Sequence, residues 1–199
     1  LLSLLAHCYM LNDDAENASI YLIKANGVNP DNASVCWNNV RMLIKNKNVA
    51  DALVVARKTI ERYPLDIEGM SVLGSCLRLS KEFDESLLYL NKAISLNPDY
   101  AEALINRGLI KFTQKDKSGA LSDLETAHKL KPHMKNIWDL LIGLNIELKQ
   151  FESAISFLGP MIKSNPSNEK YFANLGICYQ YLGNLESAIE NYQGALEIK

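Results

Sequence analysis

The sequence predicts an all-α fold, a solenoid of antiparallel helix pairs, and three observations carry that prediction. Five of the six prolines, Pro30, Pro64, Pro98, Pro132 and Pro166, stand 34 residues apart. Small residues recur on the same lattice, as Ala18, Ala52, Ser86, Ala120, Ala154 and Ala188. Each 34-residue stretch holds two apolar runs at helical spacing, parted by a break of three or four residues.

The columns of the lattice explain why each stretch folds as a hairpin. With the lattice proline set at position 32, position 8 reads Ala6, Val40, Gly74, Gly108, Ile142 and Gly176. Together with the small column at position 20, it lets the two helix backbones approach closely. Position 27, Ala25, Thr59, Ala93, Ala127, Met161 and Ala195, serves the same purpose toward the next hairpin. Position 4, Leu2, Cys36, Met70, Leu104, Trp138 and Phe172, and position 24, Leu22, Ala56, Leu90, Leu124, Leu158 and Tyr192, supply apolar bulk. Each proline ends a second helix, because it lacks an N–H donor and turns the preceding residue away from helix. Asp31 and Asp99, just after their prolines, suit the positive N-terminus of the next helix.

In chain order the expected helix pairs are 1–12 with 15–28, 33–46 with 50–62, and 67–80 with 84–96. They continue as 101–114 with 118–130, 135–148 with 152–164, and 169–182 with 186–198. One hairpin cannot bury its apolar face alone, so neighbours must stack. No linker interrupts the pattern. One array over residues 1–199 is expected, with repeats near 1–32, 33–66, 67–100, 101–134, 135–168 and 169–199. The chain lacks an initiator Met and stops in mid-pattern, which reads as a fragment of a longer protein.

This pattern resembles the tetratricopeptide repeat along the whole chain. The last repeat carries the resemblance best, with Phe172, Leu175, Gly176, Tyr179, Ala188, Tyr192 and Ala195 on the family positions. The resemblance implies a right-handed superhelix whose first helices line a concave groove.

Two repeats depart from the motif. In the fifth, Ile142 occupies a small position, Met161 replaces an alanine, and Pro160 falls inside the second helix. A proline there removes a hydrogen bond and clashes with the carbonyl of Ser156, so a kink or break near 156–159 is expected. In the fourth, Asn106-Arg107-Gly108 places a charge where the family usually has leucine, and Asp123 is its expected ion-pair partner across the hairpin.

Composition excludes several functions. The net charge is −2 and basic residues are not striped with aromatics, so no nucleic-acid surface is expected. No apolar run approaches the roughly 18 residues of a membrane span. Cys8, Cys36, Cys76 and Cys178 show no CxxC and no histidine at zinc spacing; as buried, reduced thiols they point to a cytoplasmic location. His7, His128 and His133 lack a partner at triad or ligand spacing, and no phosphate-loop, nucleophile-elbow or HExxH motif occurs. No cofactor, metal or catalytic constellation is expected.

The resemblance then assigns the groove, through the inward positions of the first helices. Its N-terminal half offers His7, Trp37, Arg41, Lys45, Ser71, Ser75 and Arg78, polar and somewhat basic. Its C-terminal half offers Ile105, Leu109, Phe112, Ile146, Ile177 and Tyr181, an apolar strip of the kind that marks interaction sites. Glu68, Glu102, Asp139 and Glu147 add acidic points. Asn38, Asn106 and Asn174 recur in alternate repeats, and asparagine can hold the backbone of an extended peptide by donating and accepting at once. The lysine and asparagine pattern of the family's carboxylate clamp for chaperone tails is absent.

The expected function is a protein-interaction scaffold that binds an extended peptide or a partner helix. The alternative is the substrate-docking arm of a larger enzyme, resembling glycosyltransferases of the O-linked N-acetylglucosamine type or sulfotransferases, with the catalytic domain outside this chain. End-to-end self-association through the uncapped last helix is a third reading.

Overall fold

The computed structural model describes residues 1–132, 134 and 137–198. Among them run twelve helices and no strand: α1 (Leu2–Leu11), α2 (Ala15–Val28), α3 (Ala33–Lys45), α4 (Val49–Arg62), α5 (Ile67–Leu79), α6 (Phe83–Leu96), α7 (Ala101–Thr113), α8 (Lys117–Leu130), α9 (Trp138–Glu147), α10 (Phe151–Ser164), α11 (Glu169–Tyr181) and α12 (Leu185–Glu197). Their ends fall within about one residue of the lattice expectation, apart from the start of α9. That start was expected at Lys135, which lies outside the described residues, as does His133.

Local chemistry sets the ends. Side chains of Asp14, Asn32, Asn48, Asp66, Asp116, Asn168 and Asn184 accept from backbone N–H groups of the first turn they precede. Asp31, expected to serve the helix N-terminus, instead pairs with Arg62, and Asn32 caps α3. The Asp99 N–H donates to the side chain of Asn97. Inside each hairpin the chain reverses through one left-handed residue: Asp13, Lys47, Lys81, Lys115, Lys149 and Gly183, with φ between 59° and 79°.

Two compact units divide the chain, Leu1–Ile110 and Lys111–Lys199. In the first, second helices pack on the first helix of the next hairpin, α2 on α3 and α4 on α5. First helices also meet in sequence, α1 with α3 and α3 with α5. The small columns act as expected: Gly74 leaves room for the Leu90 side chain, and Ser86 Oγ donates to the Gly74 carbonyl at 2.6 Å. A core of Trp37, Val40, Ala56, Met70, Leu73, Cys76, Leu77 and Leu90 fills the middle of this unit.

In the second unit α8 packs on α9, α9 on α10, α10 on α11, and α11 on α12. Its buried residues include Leu124, Leu141, Ile142, Leu144, Leu158 and Cys178. Gly176 repeats the role of Gly74, since Tyr192 takes the space of its missing Cβ. Ile142 is accepted whole in the core, at 1% exposure. Of the kink or break expected near 156–159, the break does not occur, since α10 continues through Pro160 to Ser164. Pro160 and Ser156 are both exposed, so the carbonyl that loses its intrahelical donor faces water. Asp123 is buried and pairs with Lys111 at 2.9 Å, and Arg107 donates to Asn91 at 2.9 Å.

The cysteine expectation holds for two of four. Cys76 and Cys178 are buried, and desolvation pushes their thiols up to about 12 and about 11. Cys8 is exposed and Cys36 half-buried. Cys76 and Cys178 sit on α5 and α11, against which the preceding second helices α4 and α10 pack.

Candidate interaction face

The inward residues of the first unit are stitched to one another. Asn38 Nδ2 donates to Ser3 O at 2.8 Å and to Ser3 Oγ at 2.9 Å, tying α3 to α1. Arg41 Nη1 donates to Asn38 Oδ1 at 3.1 Å and pairs with Glu68 of α5 at 2.7 Å. Lys45 reaches back to Asp13 at 2.7 Å and to the Met10 carbonyl at 3.2 Å. Arg78 Nε donates to Asn106 Oδ1 at 3.1 Å, and Asn106 Nδ2 donates to the Glu102 carbonyl at 2.9 Å.

Three of the expected groove residues are therefore not available to a ligand. Trp37 is fully buried, with its indole N–H on Asp66 at 2.6 Å, because its ring wedges between α3 and α5. Asn38 is 2% exposed and spends its amide on Ser3 and Arg41, which removes it from any peptide clamp. Ile105 is buried at 7% exposure. Arg41, Arg78, Asn106 and Leu109 are half-buried.

Among the openings of the first unit is a cavity of about 130 Å³. Arg41 and Ile44 of α3, Ser71, Val72 and Ser75 of α5, and Glu102 and Asn106 of α7 line it, with Tyr100. Three successive first helices thus share one hollow, on the face that the family resemblance assigns to the groove. Burial, with Glu102 and Glu68 nearby, pushes the Tyr100 phenol well above its ordinary value, so it stays a neutral hydrogen-bonding group. Tyr100 belongs to no inward column. Its position just before α7, after Pro98 and Asp99, is the only sequence signal it has.

In the second unit the predicted residues lie on α9 and α11, with Phe112 at the end of α7. Ile146, Ile177 and Asn174 are half-buried, Phe112 is exposed, and Tyr181 is exposed with its ring stacked on Phe151 at 4.9 Å. One hollow of the second unit, of about 510 Å³, lies elsewhere, between α8 and the turn before α10, and is lined by Ser118, Ser122, Glu125, Lys129 and Gln150 among others. No helix of the structure is long and apolar enough to cross a membrane.

The family described as the tetratricopeptide repeat matches residues 1–32, 67–100 and 169–199. The chain carries tetratricopeptide repeats. Those three segments coincide with the α1–α2, α5–α6 and α11–α12 pairs. Among relatives, the tetratricopeptide repeat-containing protein trd-1 of Caenorhabditis elegans is 27% identical over 162 residues, 80% of this chain and 20% of that protein. Anaphase-promoting complex subunit 3 of Schizosaccharomyces pombe is 21% identical over 144 residues, 72% of this chain and 22% of that protein. The chain thus spans about a fifth of the length of these relatives. Among solved structures, Pseudomonas aeruginosa pilF matches with a TM-score of 0.73 at 16% identity, covering 100% of this chain and 96% of pilF. YrrB, described as a TPR protein with an unusual peptide-binding site, matches with a TM-score of 0.69 at 19% identity, covering 89% of this chain and 92% of YrrB. The fold of this tetratricopeptide-repeat chain is therefore the helical solenoid of its structural relatives.

Proposed function

We propose that this chain is a protein-interaction scaffold that takes an extended peptide segment along the inner face of its first unit. The observation that carries the reading is the shared hollow of α3, α5 and α7, where the half-buried Ser75 and Tyr100 offer neutral hydrogen-bonding groups beside the apolar wall of Ile44. Such a surface suits a main chain in extended form, with side-chain selection left to the flanks. The peptide-binding site ascribed to YrrB supports it by analogy of fold. The reading gives the chain no catalytic step of its own. If the array instead docks a substrate for a catalytic domain of a longer protein, the same hollow would serve, and the parent sequence beyond Lys199 separates the two.

The test is capture of a C-terminally amidated, random decapeptide pool by the immobilised chain. Filling the hollow with Ser75→Tyr should abolish capture while circular dichroism stays unchanged. Undiminished capture by a folded Ser75→Tyr chain would overturn the reading.

A second reading, head-to-tail self-association, is favoured by α12. Ile189 and Leu196 are 57% and 70% exposed there, beside a hollow of about 350 Å³ lined by Ala173, Tyr192, Ala195 and Leu196 with Glu169 and Lys170. The residues in the column of Leu196 include Ile60, which is buried, and Ile94 and Ile162, which are half-buried. On α1, Leu5 and Cys8 are exposed, whereas their counterparts on α5, Leu73 and Cys76, are buried. Sedimentation should show concentration-dependent association that Leu196→Glu removes; a monomer at every concentration would exclude it.

A further inference from the structure

The cations on the inner face of the first unit are not alike. Arg41 pairs with Glu68 and Lys45 with Asp13. Arg78 is half-buried, and its only partner among the described residues is the neutral side chain of Asn106, through Nε. A guanidinium carries five N–H donors, and the four on its Nη atoms make no hydrogen bond to the described residues. Burial also lowers the Arg78 pKa from its ordinary value, with no carboxylate offsetting it. A partly desolvated cation without a counter-ion is an unfavourable arrangement that an anion would relieve.

The arrangement is also held in place. Asn106 Nδ2 is engaged by the Glu102 carbonyl, so Asn106 is held against the Nε side of the guanidinium and the Nη donors are left for a further acceptor. Ser71 and Ser75 lie seven and three residues before Arg78 on α5, on the same helix face, and both line the hollow. A planar fork with one side anchored matches a carboxylate, which accepts two parallel N–H bonds.

We propose that Arg78 is a carboxylate-binding subsite, and that the peptide held on this face carries an acidic side chain that pairs with it. The proposal rests on the groove reading above and names the chemistry of its ligand. A segment crossing α3, α5 and α7 passes Arg78 in mid-course, so the carboxylate comes from an Asp or Glu side chain and not from a chain end.

The test uses two C-terminally amidated decapeptide pools, random except for a central Glu in one and Gln in the other. The full chain should retain the Glu pool roughly fivefold or more over the Gln pool at low salt, as befits a charge-assisted pair, with the preference shrinking in high salt. Arg78→Gln should bring retention of the Glu pool down to that of the Gln pool on the same variant, and Arg78→Lys should restore part of the preference. Equal retention of both pools by the unaltered chain, or a preference that survives Arg78→Gln, would overturn the proposal. Equal retention that Ser75→Tyr abolishes would overturn it while leaving the groove reading intact. A Gln pool with free C-termini that matches the amidated Glu pool would assign the carboxylate to a chain end and overturn it too. Retention of neither pool would overturn both readings.

Discussion

Trp37 occupies the space that a Cβ on Gly69 would need. Its ring lies against the first turn of α5 and its indole N–H reaches Asp66, the cap of that helix. One side chain of the second hairpin thus fixes where the first helix of the third begins. Adding a methyl at position 69 must move either the fully buried indole or the α5 backbone. Overpacking of about 1–3 kcal/mol outweighs the roughly 1 kcal/mol that alanine gains over glycine in a helix. Gly69→Ala should therefore cost about 1–2 kcal/mol in denaturant unfolding. The cost should vanish in a Trp37→Leu background, and equal cost in both backgrounds would show that the two residues are not coupled.

Asn38 is a structural tie. Its amide joins α3 to α1 through Ser3 and is 2% exposed. Asn38→Ala removes one donor each from the Ser3 carbonyl and from the Ser3 hydroxyl, which keeps Ser34 Oγ at 2.9 Å, and should cost about 1–2 kcal/mol of stability. Peptide capture by the variant, measured where it remains folded, should match that of the unaltered chain. A selective loss of capture at unchanged stability would restore Asn38 to the groove.

Pro160 sits inside an unbroken helix with its unpaired acceptor at the surface. Pro160→Ala supplies the missing N–H and removes the steric conflict, against a small loss from a more flexible unfolded chain. The net effect should be a gain of about 1–2 kcal/mol, read as a higher unfolding midpoint. A lower midpoint would mean that the proline's ring makes contacts worth more than the hydrogen bond.

His128 stands edge-on to Trp138 at 5.6 Å and Phe157 at 5.1 Å, and burial lowers its pKa from the ordinary 6.5. The unfolded chain then binds a proton more readily than the folded one. Stability linked to this group is complete above about pH 7 and falls as the pH drops through the unfolded value toward the lower folded one. His128→Phe keeps an aromatic ring and removes the titration. Its unfolding midpoint should decline less between pH 7.5 and 5.5 than that of the unaltered chain, and parallel declines would contradict the assignment.

Most of the fold was legible because a solenoid repeats its packing, and repeated packing writes itself into columns. Gly74 beneath Leu90 and Gly176 beneath Tyr192 are one contact made twice, so a spacing of 34 reveals both. The hairpin reversal is legible in the same way: Lys47, Lys81, Lys115 and Lys149 share that spacing and all adopt the left-handed conformation. The groove was less legible, because inward direction does not fix exposure. Trp37 and Asn38 point inward, yet one is long enough to wedge against the next hairpin and the other finds Ser3 within reach of the previous one. Such contacts depend on which particular side chains meet across a junction, and no column records that.

The most direct test follows the ¹⁵N-labelled chain by NMR while a peptide selected from the Glu pool is added. Shifts should cluster on Ser71, Ser75, Arg78 and Asn106, and leave Val54 and Leu88, exposed on the second helices α4 and α6, unmoved. Shifts confined to α4, α6 or the second unit would contradict an inner-face groove in the first unit.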